Sequence, residues 1–106
     1  MQQGKFSEAV SEFERSEELE PRVWQLQVTF GEALLQLNQF QQAERRFLMA
    51  LELNSQCVEA HFGLGRVYAN TQQLGPAVEH LTTTLKLRPD FLPAQEFLNS
   101  LKSSDN

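Results

Sequence analysis

A period of 34 residues runs through the chain, and it limits the possible folds more than any other feature of the sequence. When the sequence is shifted by 34 positions, residues 24–57 align without a gap over residues 58–91. Small residues then fall on small ones, as Gly31 does on Gly65, and bulky residues fall on bulky ones. A fixed period of this length is typical of an array of stacked structural units, each too small to bury a core alone.

Each unit has the pattern of two helices. In the second unit Ala60, Leu64 and Val67 recur at spacings of four and three, which places them on one apolar side of a helix. The segment 72–76 interrupts this pattern, and Pro76 suits the first turn of a new helix, which ends at Pro89. The second apolar stripe consists of Ala77, Leu81, Thr84, Leu85 and Leu87. Because alternating β-branched runs are lacking, the sequence predicts an all-α fold.

The residue types at these positions resemble the tetratricopeptide repeat. That family places a small residue, an aromatic, an alanine, a second aromatic, another small residue and a proline in order. The second unit supplies Gly65, Tyr68, Ala77, Leu81, Thr84 and Pro89. The first unit supplies Gly31, Leu34, Ala43, Phe47, Ala50 and Ser55, and it departs from the pattern at the last position. The resemblance implies a right-handed α-solenoid of antiparallel helix pairs, with a less rigid turn at Ser55.

The resemblance also divides the chain, as a single domain, into repeat units. We expect a leading half unit at 4–22, full units at 23–56 and 57–90, a capping helix at 91–102 and a polar tail at 103–106. The half unit resembles the second helix of a repeat without its first helix. Its uncovered apolar side would belong to a longer array or would pair with a second copy. The residues of this predicted homo-oligomer contact are Phe6, Val10 and Phe13.

Two glycines one residue apart, Gly63 and Gly65, raise the question of a phosphate-binding loop. Such a loop follows a strand and opens a helix, whereas these glycines continue a helical stripe. We therefore predict no nucleotide site. Gly65 fits the point where the two helices of a unit cross closely, and Gly63 is expected to face the concave side.

The charge and composition narrow the classes of partner and location. The net charge of −5 disfavours nucleic acid and anionic membranes as partners. No apolar run reaches the roughly 20 residues of a membrane span, and the first residues lack the apolar core of a signal peptide. A single cysteine, Cys57, forms no internal disulfide and suits a reducing compartment. These features predict a cytoplasmic protein without membrane insertion.

No arrangement typical of catalysis or metal binding emerges. Cys57 and His61 lie four residues apart, but a structural zinc requires four ligands, so we interpret them as a partly exposed thiol and a packing histidine. The glutamates within 8–20 read as a solvated helix face, and no nucleophile motif occurs. The aromatic residues Trp24, Phe40 and Phe47 are interpreted as core. We predict no enzyme activity, no cofactor and no metal.

The resemblance implies that the first helices of successive units line a concave groove for a peptide or a partner helix. By register, the predicted groove residues are Gln25, Val28, Thr29, Glu32, Leu35, Gln36, Glu59, Phe62, Gly63, Arg66, Ala69 and Asn70. Val28 and Phe62 lie off the core stripe and are candidate apolar contacts. A lysine and an asparagine hold a peptide carboxylate in chaperone-binding members of the family. At the corresponding positions this chain has Val28 and Glu32 in the first unit, and Phe62 and Arg66 in the second.

The sequence therefore favours a protein–protein interaction module. Its ligand contacts are expected to centre on Phe62 and Arg66, four residues apart on one helix side, with an apolar ligand group flanked by an acid. Two alternatives stay open: a structural, self-associating segment of a larger tetratricopeptide assembly, and an appendage of an enzyme domain outside this chain. The sequence does not identify the partner.

Overall fold

Five helices make up the part of the chain that the computed structural model describes, residues 23–104. They are α1 (Trp24–Gln36), α2 (Phe40–Leu53), α3 (Val58–Asn70), α4 (Leu74–Leu87) and α5 (Leu92–Ser104). No strand occurs within these residues, and the all-α prediction is confirmed. Helix α5 continues through Ser104, two residues beyond the predicted end of the capping helix. The predicted half unit, with Phe6, Val10 and Phe13, lies outside the described residues.

The helices pack as a stacked array rather than as a closed bundle. The most extensive contacts join α1 to α2 and α3 to α4, the members of each short-looped pair. The next most extensive join α2 to α3 and α4 to α5, and α1 also contacts α3. Contacts thus run mainly between chain neighbours, which is how a helical repeat solenoid buries its core. None of the described helices has the length and apolarity required to cross a bilayer.

The buried side chains repeat with the period of the sequence. Phe47 of α2 and Leu81 of α4 occupy the same repeat position, and both are fully buried. Leu64 of α3 and Leu98 of α5 are likewise buried at equivalent positions. The sequence period therefore corresponds to a repeated packing arrangement, in which each second helix supplies a large side chain to the space between units.

Three glycines allow the helices to approach closely. A Cβ added to Gly65 would lie 2.8 Å from Cγ of Leu81, and one added to Gly31 would lie 2.8 Å from Cε1 of Phe47. The predicted close crossing at Gly65 is confirmed. The expectation that Gly63 faces the concave side is wrong, because its Cβ would lie 2.4 Å from Cζ of Phe47. The preceding unit packs against this side of α3, so Gly63 belongs to the contact between units.

The turn inside each helix pair is a Schellman motif. Asn38 and Gln72 occupy equivalent positions with φ of 61° and 63°. The amide of Gln39 donates to the carbonyl of Leu34, and that of Gln73 donates to Tyr68, at 2.9 Å and 2.7 Å. The amides of the two left-handed residues donate to Leu35 and Ala69. The motif satisfies helix-end carbonyls and usually has glycine at its left-handed position.

Replacing Gln72 with glycine should stabilise the domain. A residue with a Cβ in the left-handed region costs about 1–2 kcal/mol, a cost that glycine avoids and asparagine partly avoids. After the larger backbone entropy of glycine is deducted, we expect Gln72→Gly to raise the free energy of unfolding by about 0.5–1 kcal/mol. Urea denaturation measures the change. Asn38→Gly is the control with a smaller expected gain, and a less stable Gln72→Gly variant would contradict the assigned turn.

The turn between the two units does not depend on the missing proline. Asn54 and Arg88 end α2 and α4 with extended backbones, at φ of −150° and −142°. Their amides donate to Ala50 and Thr84 at the same distance, 2.8 Å. At the first turn the side-chain oxygen of Asn54 also accepts from the amide of Gln56, at 3.2 Å. This local bond constrains the turn at Ser55, where the sequence suggested less rigidity.

Candidate ligand-binding groove

The predicted groove residues fall into three groups by exposure. Those that are exposed are Gln25, Thr29, Glu32, Gln36 and Asn70. Those that are half-buried are Glu59, Phe62, Arg66 and Ala69. Those that are buried are Val28, Leu35 and Gly63. Nine of the twelve therefore offer side-chain surface to a ligand, and the other three do not.

Val28 and Leu35 belong to the hydrophobic core rather than to an exposed groove surface. Their side chains are only 7% and 5% exposed, and both join the core cluster that contains Phe47. The expectation that Val28 lies off the core stripe is therefore wrong. Both share that cluster with Ala60 and Leu64 of α3, so the packing of α1 against α3 contributes to their burial.

Phe62 is held in an aromatic cluster at the junction with α5. Its ring makes edge-to-face contacts with Phe91, at 5.1 Å between centroids, and with Phe97, at 6.4 Å. The guanidinium of Arg66 lies over the same ring, 5.6 Å from its centroid. Such contacts fix a ring in orientation. Phe62 is therefore a pre-positioned, half-exposed ring rather than a free side chain.

Phe91 and Phe97 are residues that the sequence reasoning did not assign to the site. Both are half-buried, and both pack on the second core cluster together with Phe62. The repeat register contained a usable signal, because Phe97 falls on the position of Gly63 one unit earlier. An aromatic side chain at that position of α5 extends toward the residues that neighbour Gly63 on α3.

Charged side chains of α1 and α3 interact across the groove. Burial raises the pKa of the Glu32 carboxyl, the neighbouring Arg66 lowers it, and Glu59 raises it again. Glu32 of one unit therefore lies within electrostatic range of two charged residues of the next. Two carboxylates and one guanidinium therefore lie near one another at this point, which leaves the local charge negative.

A second polar cluster lies where α2, α3 and α4 meet. Nδ1 of His61 and Nδ1 of His80 are 3.1 Å apart, and Nε2 of His61 is 3.3 Å from the carbonyl oxygen of Ser55. Because a carbonyl only accepts, Nε2–H of neutral His61 donates to it, and Nδ1–H of His80 donates to His61. The Tyr68 hydroxyl donates to Glu44 at 2.7 Å, and burial followed by this bond raises the pKa of Tyr68 to about 12.

The other candidate residues from the sequence belong to the core or pack against it. Cys57 is buried, so the expected exposure of its thiol is wrong, and burial raises its pKa. Phe47 is fully buried, while Trp24 and Phe40 pack against the same cluster, which confirms their interpretation as core. Within residues 23–104, no three His, Cys, Asp or Glu side chains converge on a point where a metal could bind.

The histidine pair predicts a pH dependence of stability. Burial lowers the pKa of His80, and His61 lowers it further, whereas Glu79 on the same helix raises it. The unfolded chain therefore takes up a proton near the ordinary value of 6.5 before the folded chain does. This contribution to stability is complete above that pH and decreases as the pH falls below it.

The measurement is the urea midpoint of the parent and of His80→Gln between about pH 7.5 and about pH 5.5. The parent should lose more stability than the variant over this interval. The difference between the two curves isolates the contribution of His80, because Glu32 is present in both proteins. The raised pKa of Glu32 makes stability increase as the pH falls, which is opposite to the effect of His80, and it does so at lower pH. Parallel curves would contradict the expected titration of His80.

Solved structures of three tetratricopeptide proteins resemble the fold of this chain. The first tetratricopeptide domain of Spaghetti (RPAP3) bound to the HSP90 peptide SRMEEVD superposes with a TM-score of 0.91 and 24% identity, over 96% of this chain and 81% of that one. The first such domain of human RPAP3 gives 0.90 and 25%, over 95% and 80%. YrrB, described as having an unusual peptide-binding site, gives 0.82 and 22%, over 88% and 48%.

Sequence comparison agrees with the structural likeness. The Saccharomyces cerevisiae anaphase-promoting complex subunit CDC16 is 32% identical over 75 residues, which are 71% of this chain and 9% of that protein. The chain thus corresponds to a small part of this relative. The family model described as tetratricopeptide repeat matches residues 28–91, more than half of the chain. The 34-residue period, the glycine crossings and this match agree, and the chain belongs to the tetratricopeptide repeat family.

Proposed function

We propose that the chain is a protein–protein interaction module that binds a peptide or helix of a partner in the groove formed by α1, α3 and α5. The observation that carries this proposal is the half-exposed ring of Phe62, fixed by Phe91 and Phe97 beside exposed polar groups. A rigid ring with a polar rim suits the anchor position of an interface. The HSP90 peptide bound by the RPAP3 domain and the peptide-binding site described for YrrB support the same use of this fold.

The likeness to the RPAP3 domain does not extend to its ligand. The peptide SRMEEVD is acidic and ends in a carboxylate. In this chain Val28 is buried and Glu32 presents a carboxylate where the chaperone-binding pattern has polar or basic groups. An acidic peptide terminus would therefore meet repulsion on α1. The proposed partner is therefore a peptide other than an acidic chaperone tail.

A second candidate role is that of a structural segment within a larger assembly. It is favoured by the likeness to CDC16, which is itself a subunit of the anaphase-promoting complex. This chain matches only 9% of CDC16. Light scattering after gel filtration distinguishes this role in its self-associating form. A monomer at micromolar concentration would contradict self-association and would leave the groove proposal intact.

The groove is tested with peptides selected on the parent chain from a random library displayed on phage. Thr29 is exposed on α1, and its hydroxyl bonds only to the carbonyl of Gln25 in the same helix. Thr29→Tyr therefore adds bulk over the groove without altering the core. We expect it to weaken binding at least tenfold, about 1.4 kcal/mol or more. Fluorescence anisotropy of a labelled selected peptide gives the affinity.

A matched control makes this test specific. Thr82→Tyr makes the same change on the exposed side of α4. This control variant should bind within twofold of the parent. Equal loss in Thr29→Tyr and Thr82→Tyr, or no loss in either, would move the binding surface away from the groove. Circular dichroism establishes that each variant retains its helical content.

A further inference from the structure

We infer that the groove accepts a cationic peptide segment, in which a lysine or arginine lies next to an apolar side chain. This inference rests on the proposed function and gives its ligand a chemical class. It replaces the sequence-based expectation of an apolar group flanked by an acid. The reason for the change is the set of charges that surrounds Arg66.

Carboxylates outnumber cations at the groove positions of the described residues. Glu32 and Glu59 lie on α1 and α3, and Glu96 occupies on α5 the position of Phe62 on α3. The placement of Glu96 follows from its neighbours Ala94 and Leu98, which are buried as their equivalents in α3 are. Against these three carboxylates, Arg66 is the cation at the groove positions within residues 23–104. The loop before α5 adds Asp90 and also Arg88, whose guanidinium lies 5.7 Å from the centroid of the Phe91 ring. Carboxylates still outnumber cations, by four to two.

The guanidinium of Arg66 already has partners in the folded chain. It lies 5.6 Å from the centroid of Phe62 and interacts electrostatically with Glu32. A ligand carboxylate would have to compete with Glu32 for this guanidinium while approaching Glu59. A ligand ammonium or guanidinium would instead be attracted by Glu32 and Glu59, which repel each other. Charge complementarity across an interface favours the cationic ligand.

The apolar part of the inferred ligand follows from the aromatic cluster. Phe91 and Phe97 contact Phe62 by edges, and all three rings stay half-buried. An aliphatic side chain that covers the accessible part of Phe62 would remove apolar surface from water. Glu96 on α5 and Glu59 on α3 lie one helical turn or less from the ring positions along their helices. An adjacent lysine or arginine can therefore reach a carboxylate while its neighbour packs on the ring.

The test uses two fluorescein-labelled peptides of equal length, one alternating lysine with leucine and the other alternating glutamate with leucine. Fluorescence anisotropy with the full chain measures both affinities at low and at high salt. We expect the lysine peptide to bind more tightly and to weaken as salt increases. Glu32→Gln and Glu59→Gln should each weaken it about three- to tenfold.

Glu52→Gln is the matched control, because Glu52 is exposed on α2 and its change alters the net charge equally. Binding by this variant should stay within twofold of the parent. A tighter glutamate peptide, or equal weakening by Glu52→Gln and Glu32→Gln, would overturn the cationic preference. Absence of binding by both peptides would also overturn it. In that case, weaker binding of the phage-selected peptides by Thr29→Tyr would still support the groove as the binding surface. Unchanged binding of those peptides by Thr29→Tyr would instead contradict the proposed function.

Discussion

Phe47→Ala should lower the free energy of unfolding by about 3–5 kcal/mol, the cost of removing a large aromatic side chain from a core. The ring of Phe47 is fully buried and lies within 2.8 Å of the positions that Cβ atoms on Gly31 and Gly63 would occupy. It therefore fills the space among α1, α2 and α3, between the two units. Since domains of this size are stable by about 5–15 kcal/mol, the variant should lose much of its stability.

Urea denaturation followed by circular dichroism measures this loss, with Leu48→Ala as the control. Leu48 is the next residue on α2, and 41% of its surface is exposed, so its truncation should change stability by about 0.5 kcal/mol or less. Should Phe47→Ala fail to fold, Phe47→Leu provides a measurable intermediate case. Equal stability of Phe47→Ala and Leu48→Ala would contradict the assigned packing between units.

The periodic part of the fold was predictable from the sequence because it depends on local residue size. The equivalence of Gly31 with Gly65 and of Phe47 with Leu81 follows from the 34-residue register, and each glycine packs on the large residue of its own pair. A close helix crossing requires a small residue on one helix and accepts a large one on the other. These requirements are visible in any sequence that repeats them.

The turns were less predictable because their chemistry departs from the usual residues. The left-handed positions hold Asn38 and Gln72, with no glycine to mark them. Gly75 was interpreted as part of the interruption, yet it lies within the first turn of α4, as Pro76 does in agreement with the sequence prediction. The hydrogen bonds of the Schellman motif come from backbone atoms, so the turn forms without the side chain that usually indicates it.

The exposure of the candidate groove residues was predictable at some repeat positions and not at others. Thr29 and Glu32 are exposed and Arg66 is half-buried, as accessible side chains must be. Repeat position could not give the burial of Val28 and Leu35, because that depends on how closely α1 approaches α3. The aromatic contacts of Phe62 likewise depend on the orientation of α5. Packing between units is a property of the assembled array rather than of one helix.

Gly63→Ala is expected to destabilise the chain even though alanine is the better helix former. The added Cβ would lie 2.4 Å from Cζ of Phe47, a ring that is fully buried and cannot rotate away. Overpacking of this kind costs about 1–3 kcal/mol, and it opposes a gain of about 1 kcal/mol in helix propensity. The steric cost should dominate, because helices α2 and α3 would have to separate along their contact.

Gly75→Ala separates the two effects, since a Cβ at Gly75 would meet no atom within 4 Å. This variant should be as stable as the parent or more stable, by up to about 1 kcal/mol. Combining Gly63→Ala with Phe47→Leu should then cost less than the sum of the two changes, because the smaller side chain leaves room for the methyl group. Additive costs, or a Gly63→Ala variant as stable as Gly75→Ala, would show that Phe47 does not fill the space beside Gly63. The contact between units would then lie elsewhere on α3, and the requirement for glycine at this position would need a different cause.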